Sequence, residues 1–321
     1  RDLHLSIRRQ RQMCIRDRLS PDGRFLFFTR LEATKTPDGN FCGKLYMAER
    51  LGKDGWKAPV LLPSPINQTC ECAGRMLSDN KTFLFSSIRI GGAGGLDIYK
   101  STRNDDGSYT APVPYSFINT AKDEKYVSVP AGGGLVFHSA KGTSGMLDVV
   151  RTPIPENLQP EKVSLWQGLA KNGSNNLPLA PKVIVTNTST NKSYTYYGAD
   201  DGNYVAVIPQ DAIYDVSIQG ADGGFTFKST FSEKVSQPKY VEKTEDLKLF
   251  PLKKGTLFQA ENLSFNTNSD TLTDLSSTEI FRLLIMLKAY PTLKLEVGAH
   301  TYNVVQDLSL IHISEPTRLR R

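Results

Sequence analysis

Cysteine is scarce in this chain: Cys14, Cys42, Cys70 and Cys72 are all that 321 residues hold. Histidine is equally thin, with four residues scattered singly. A zinc site needs about four ligands, so neither residue type supplies a local metal motif. No run of 18 apolar residues occurs, so no membrane-spanning helix is visible. Charge of one sign is missing from the interior. The formal +6 comes from residues 1–18 and 309–321, while residues 19–308 carry equal numbers of basic and acidic groups. A nucleic-acid binder concentrates basic charge on a folded face, so no nucleic-acid partner is expected. HExxH, GxSxG and a phosphate loop are absent, and the chain is expected to be no enzyme, with no catalytic residue and no cofactor. Charged residues at 22% and hydrophobic ones at 39% argue against a long coiled coil and against wholesale disorder.

What is present begins with two unusual ends. RDLHLSIRRQRQMCIRDR at 1–18 and SLIHISEPTRLRR at 309–321 differ from the middle in texture, and neither has a signal-peptide layout. Both resemble translated sequencing-adapter read-through and are read as non-native ends of a fragment. Cys42 has two candidate disulfide partners, Cys70 and Cys72, and the spacing does not choose between them.

The first half repeats. LSPDGRFLFFTR at 19–30, LSDNKTFLFSSI at 77–88 and VSVPAGGGLVFHS at 127–139 each read as a turn and an alternating strand. Each is followed by a second apolar strand: GKLYMAE at 43–49, GGLDIYKS at 94–101 and GMLDVVRT at 145–152. GWKAPV at 55–60 and GSYTAPV at 107–113 extend the first two copies. Asp22-Gly23 and Asp79-Asn80 are turn formers that tolerate left-handed backbone. Several short strands per unit, with units about 50 residues apart, match a β-propeller blade. GGAGG at 91–95 does not open a helix and reads as an inter-strand turn. Asp97, Asp148 and Lys100 sit on expected strands, the two aspartates as turn or hydrogen-bonding residues rather than ligand contacts.

These segments resemble the WD40-like β-propeller repeats of large cell-envelope proteins of Bacteroidetes type, over residues 19–155. Such propellers are binding platforms and also occur beside peptidase domains. Three copies are fewer than a closed propeller holds, so a partial β-propeller of about three blades is expected.

Residues 156–180, with Pro160, Pro178 and KNGSNN, read as a propeller exit and linker, in which VSLWQGL at 163–169 is one more short strand or a turn packed on the propeller. Residues 181–250 hold four or five β-rich runs divided by Asn, Asp and Gly turns, the pattern of a small antiparallel β-sandwich. Asp201-Gly202-Asn203-Tyr204 and Tyr214-Asp215-Val216 resemble the carboxypeptidase regulatory-like domain, a non-catalytic spacer, with Tyr204 and Tyr214 at core or half-core positions.

Residues 255–308 change period. A short strand and a polar loop lead to STEIFRLLIMLKAYP, with positions 280, 283, 284 and 287 on one helical face. Ser276 or Ser277 is expected as the cap, Glu279 in the first turn and Pro291 at the end. An alternating strand, LKLEV, follows. Phe265, Leu272, Pro291, Leu295 and His300-Thr301 resemble the opening of an OmpA C-terminal-like peptidoglycan-binding domain. The fold class expected is therefore mainly β: a partial propeller, a small sandwich and the truncated start of an α/β domain.

The OmpA family resemblance implies peptidoglycan as a partner of the complete parent, with His300, Thr301, Tyr302 and Asn303 as the contact region. Ala299 and Val305 replace usual glycines, Tyr302 stands where the family has an aspartate, and the later Leu-Ser-x-x-Arg helix is absent. His300 taken alone reads as a structural histidine. The domain order also resembles the periplasmic component of type IX secretion, without its helical repeats. That implies envelope or secretion-system proteins as partners and a periplasmic location at the outer membrane. Two other readings stand beside it: an accessory propeller of a peptidase or other hydrolase, and a carbohydrate-binding propeller using Trp56, Tyr109 and Trp166.

Overall fold

The computed structural model describes residues 13–35, 39, 41–51, 55–141, 147–266, 269 and 271–296. The described chain is mainly β, with a single α-helix, and divides into a unit ending at Thr256 and another beginning at Leu257.

Three antiparallel sheets follow one another in chain order. The first joins β1 (Met13–Leu19), β2 (Phe25–Lys35), β3 (Phe41–Leu51) and β4 (Gly55–Trp56), with β5 (Val60–Leu61) also on β3. The second joins β6 (Glu71–Met76), β7 (Thr82–Ser87), β8 (Asp97–Thr102) and β9 (Val113–Pro114). The third has three strands, β10 (Lys125–Ser128), β11 (Leu135–Lys141) and β12 (Leu147–Pro153). Residues 13–18, which the sequence sets apart as a non-native end, pair here as the first strand of the first sheet.

Apolar side chains at period two fill the spaces between sheets. Phe25, Phe27 and Leu45 of the first pack on Met76, Phe83 and Phe85 of the second. Leu84 and Ile98 of the second pack on Val129 and Val136 of the third. Each sheet alone would leave one apolar face in water, so stacking is what makes each stable. No closed ring of sheets is present among the described residues.

The repeat is closer than its sequence. The Ser20 N–H donates to the Phe25 carbonyl at 2.7 Å, and the Leu77 N–H to that of Thr82 at 2.8 Å. These bonds align Gly23 with Asn80 and shift the two copies by one residue from their best sequence match. Gly23, Asn80 and Gly133 then occupy the same left-handed turn position, with φ of 64°, 55° and 69°. A bulge interrupts β1, β6 and β10 alike, and non-glycine residues Ala73 (φ 55°) and Tyr126 (φ 63°) take left-handed backbone at the last two.

The expected linker is a correction. Residues 163–172 form β13 (Val163–Asn172), the central strand of a sandwich sheet. It pairs antiparallel with β16 (Asn203–Pro209) and parallel with β19 (Val241–Thr244) and β20 (Leu247–Leu249), so the sandwich is not purely antiparallel. The facing sheet is β15 (Ser193–Tyr197), β14 (Pro181–Asn187), β17 (Tyr214–Gly220) and β18 (Phe227–Phe231). Only Val163 and Ala170 of β13 are buried. It therefore carries no clean alternation, and its strand state comes from partners 34 to 77 residues away.

In the second unit the helix α1 (Asp274–Ala289) starts at Thr273, ahead of the expected serine caps. Its buried face is Ser276, Glu279, Leu283 and Met286, and of the expected apolar face Ile280 and Leu284 are exposed. Ser276 does not cap. Its hydroxyl receives the Ser264 N–H at 2.9 Å, which ties the preceding loop to the helix. Residues 293–296 form no strand, and the earlier expected strand is a single bridge, Phe265 to Leu272. An alternating segment becomes a strand only when a neighbour pairs with its backbone.

Candidate functional site: the seam between repeat turns and sandwich

The turns that open each repeat line up on one edge of the stack, and the sandwich meets them there. In the first turn the Asp22 carboxylate accepts from the Ser20 hydroxyl and, at 3.0 Å, from the Arg24 N–H. In the second, Asp79 accepts from the Lys81 and Thr82 N–H groups at 3.1 and 2.8 Å, and from the Thr82 hydroxyl at 2.7 Å. Its other oxygen also takes the Glu161 N–H at 3.1 Å, which fastens the lead-in to β13. The two turns touch through the Asp22 N–H and the Asn80 amide oxygen, 3.3 Å apart. At the third turn Lys162 donates to the Gly132 carbonyl at 3.2 Å.

A cleft of about 240 Å³ lies in this seam. Asp22, Asp79, Asp105 and Asp211 line it with Arg24, Lys81, Arg103 and Lys192, so its formal charges balance. Lys192 pairs with Asp105 at 2.6 Å across the seam, and this hydrogen-bonded contact holds the Asp105 carboxyl below its ordinary range. Burial by itself lowers the Lys81 ammonium. Glu161 at 2.7 Å, Asp211 at 4.0 Å and Asp79 outweigh burial, and its pKa rises. The Arg24 and Arg103 guanidiniums both stand 4.8 Å from the Phe25 ring centre.

Three tyrosines furnish the sandwich wall. Tyr196 is fully enclosed and donates to the Val207 carbonyl at 2.7 Å. Burial, with the Asp22 carboxylate second, pushes its hydroxyl well above the ordinary range. Tyr214 donates to Asp211 at 2.8 Å and is raised chiefly by burial, and Tyr194 completes the wall. A Lys81 ammonium favoured in its charged form and Tyr196 and Tyr214 phenols favoured in their neutral form are suited to ion pairing and hydrogen-bond donation. Among the described residues no group of three or more His, Cys, Asp or Glu gathers to hold a metal ion.

The residues singled out from sequence fall elsewhere. Asp97 is buried and accepts the Gly94 N–H at 3.0 Å in the turn that GGAGG forms. Lys100 donates to the Leu158 carbonyl at 3.2 Å, and Asp148 lies exposed on β12. Tyr204 and Tyr214 are core residues, the former donating to the Glu245 carbonyl at 2.6 Å. Tyr109 is buried against Phe83, its hydroxyl pushed up to about 12 mainly by burial. Trp166 lies 4.3 Å under the Lys243 ammonium, and the half-buried Trp56 is 5.8 Å from the Arg50 guanidinium. His138 is buried beside Thr152 at 3.1 Å. Cys42 bonds Cys70, leaving Cys72 outside the disulfide. His300, Thr301, Tyr302 and Asn303 lie outside the described residues.

Sequence reasoning missed the seam, although both turns that build it were visible. It also missed a buried carboxylate where each lead-in loop meets its strand, Glu71 at the start of β6 and Glu124 just before β10. Glu71 receives the Thr69 N–H and hydroxyl at 2.7 and 2.9 Å, and Glu124 receives the same two groups of Thr120. The signal was Ile-Asn followed by Thr and Glu, at 66–71 and again at 118–124.

No family model matches the chain, and no curated protein matches it. Among solved structures it is similar to the Bacillus anthracis TIE protein at 9% identity and a TM-score of 0.23, covering 71% of this chain and 42% of that one. It is similar to the group B streptococcus pilus 2b backbone protein at 11% identity and a TM-score of 0.21, covering 71% and 92%. A C-terminal fragment of pilus adhesin SpaC from Lactobacillus rhamnosus GG gives 9% identity and a TM-score of 0.21, covering 80% and 93%. Scores this low carry no functional inference.

Proposed function

We propose that this chain is part of a non-catalytic cell-envelope protein of the periplasm, associated with the outer membrane. The stacked sheets are blades of a partial WD40-like propeller that presents a surface to envelope or secretion-system proteins. The sandwich is a carboxypeptidase regulatory-like spacer, and the last domain belongs to the OmpA C-terminal-like class. In the complete parent that domain holds peptidoglycan around His300, Thr301, Tyr302 and Asn303.

The observation that carries this reading is the recurrence of turn, bulge and lead-in loop in successive stacked sheets. The disulfide supports it, since such bonds persist in oxidising compartments. The seam supports a rigid platform, because its charges are spent on joining sheets to sandwich.

The test is co-sedimentation with purified peptidoglycan. A chain completed with Gly-His-Thr-Asp and Leu-Ser-x-x-Arg sequences is expected to pellet, and the 321-residue chain to remain largely in solution. The physical reason is that Tyr302 offers the ligand ammonium no carboxylate, and no arginine fork meets its carboxylate. A completed, folded protein that stays in the supernatant overturns the proposal.

A further inference from the structure

The stack has two open ends, and they differ from its interior in a specific way. Cross-strand pairing makes Leu45, Ile98 and Val149 equivalent, opposite Thr29, Ser86 and Ser139. Leu45 and Ile98 are fully buried by the sheet that follows each, whereas Val149 is 79% exposed. Leu135 and Phe137 on the same outer face are half-buried, where their equivalents Phe25 and Phe27 are buried. At the other end Leu19 is 53% exposed, although its equivalents Met76 and Val129 are buried at 3% and 6%. Leu26 is half-buried, where Phe83 and Val136 are fully buried.

We propose that these two open faces are the two halves of one interface, and that the chain associates with a second copy of itself head to tail. The third sheet of one copy packs on the first sheet of the next. The occupant follows from continuity with the interface inside the molecule. Leu45 is covered by the face of the second sheet that carries Met76 and Phe83. Ile98 is covered by the face of the third that carries Val129 and Val136. The first sheet offers Leu19 and Leu26 at those same two positions. Among the described residues no fourth sheet of the stack follows to fill the place, and after Pro153 the backbone turns through Glu156–Leu158 into β13.

The sandwich meets the turn edge of the stack, at Gly132 and Lys81 among others, and leaves Val149 open. The contact is heterologous, so it propagates to chains of molecules unless the rotation closes a ring. The inference rests on the stacked sheets alone and on no part of the envelope assignment.

The intact chain, a Val149→Lys variant and a Leu19→Lys variant are compared by sedimentation velocity and light scattering across a concentration series. Both side chains are exposed, so the fold survives, which circular dichroism and the melting temperature check. The unaltered chain is expected to show an average mass that climbs above 35.6 kDa with concentration. Each variant alone is expected to stay at one-chain mass, its association weakened at least roughly tenfold by a lysine ammonium at an apolar contact. An equimolar mixture of the two variants keeps one intact face of each kind and is expected to give dimers and nothing larger. An unaltered chain of constant one-chain mass overturns the proposal, as do variants that associate undiminished or a mixture that stays monomeric.

Discussion

The Asn67 side chain clasps the backbone of Leu45 from both sides: its oxygen accepts the Leu45 N–H at 2.9 Å and its amide donates to the Leu45 carbonyl at 2.8 Å. Asn119 does the same to Ile98, at 2.9 and 3.0 Å. The clasp lets a loop without strand geometry satisfy the edge of a finished sheet and lead the chain into the next.

Replacing Asn67 or Asn119 by alanine strands the Leu45 or Ile98 N–H, while the carbonyl of each keeps a backbone donor, the Leu62 N–H at 2.9 Å or the Tyr115 N–H at 2.8 Å. Each change is expected to lower stability by about 1–3 kcal/mol. Urea unfolding checks this. A loss below about 0.5 kcal/mol, the range of neutral surface changes, would remove the clasp from any account of the fold.

Gly23 and Ala73 make opposite demands. A Cβ at Gly23 meets nothing closer than the Arg50 guanidinium at 3.4 Å, so Gly23→Ala acts through backbone strain alone at φ 64°. It is expected to cost about 1–2 kcal/mol. Ala73→Gly relieves such strain and is expected to stabilise by up to about 1 kcal/mol. Thermal melting of the two variants should move in opposite directions; movement in the same direction would contradict the assigned backbone.

Reduction opens a loop closed across a sequence separation of 28 residues by Cys42 and Cys70. Chain entropy puts the expected loss at about 3–4 kcal/mol. Cys72→Ser should leave the response to reductant unchanged, and Cys42→Ser should abolish it. Unfolding curves with and without reductant distinguish the cases, and a Cys72→Ser protein that no longer responds would reassign the disulfide.

Burial lowers the pKa of His138 below 6.5, and the Glu124 carboxylate offsets only part of this. The folded state therefore holds a neutral imidazole, while the unfolded chain takes up a proton first as the pH falls. The stability linked to this group is fully present above 6.5 and is lost as the pH drops through the folded pKa. The urea midpoint is expected to fall between about pH 7.5 and about pH 5.5, and to fall less in His138→Gln. An equal fall in both proteins would clear His138 of any part in it.

Local chemistry wrote much of this fold into the sequence. Phenylalanines at period two, Asp-Gly and Asp-Asn turns, and a strand after each turn were readable because strand alternation and left-handed turns depend on neighbouring residues. The sandwich tyrosines at 204 and 214 were singled out by the Asp-Gly-x-Tyr resemblance, and both are buried. Long-range pairing decided the rest. Residues 163–169 read as a short strand or turn on the propeller within a linker, and 163–172 become a central strand of the sandwich because residues 203–209 and 241–249 pair with them. The clasps of Asn67 and Asn119 and the choice of Cys70 over Cys72 all depend on contacts between segments 20 or more residues apart. The seam arises because the sandwich meets three turns at once, and no stretch of sequence records such a meeting.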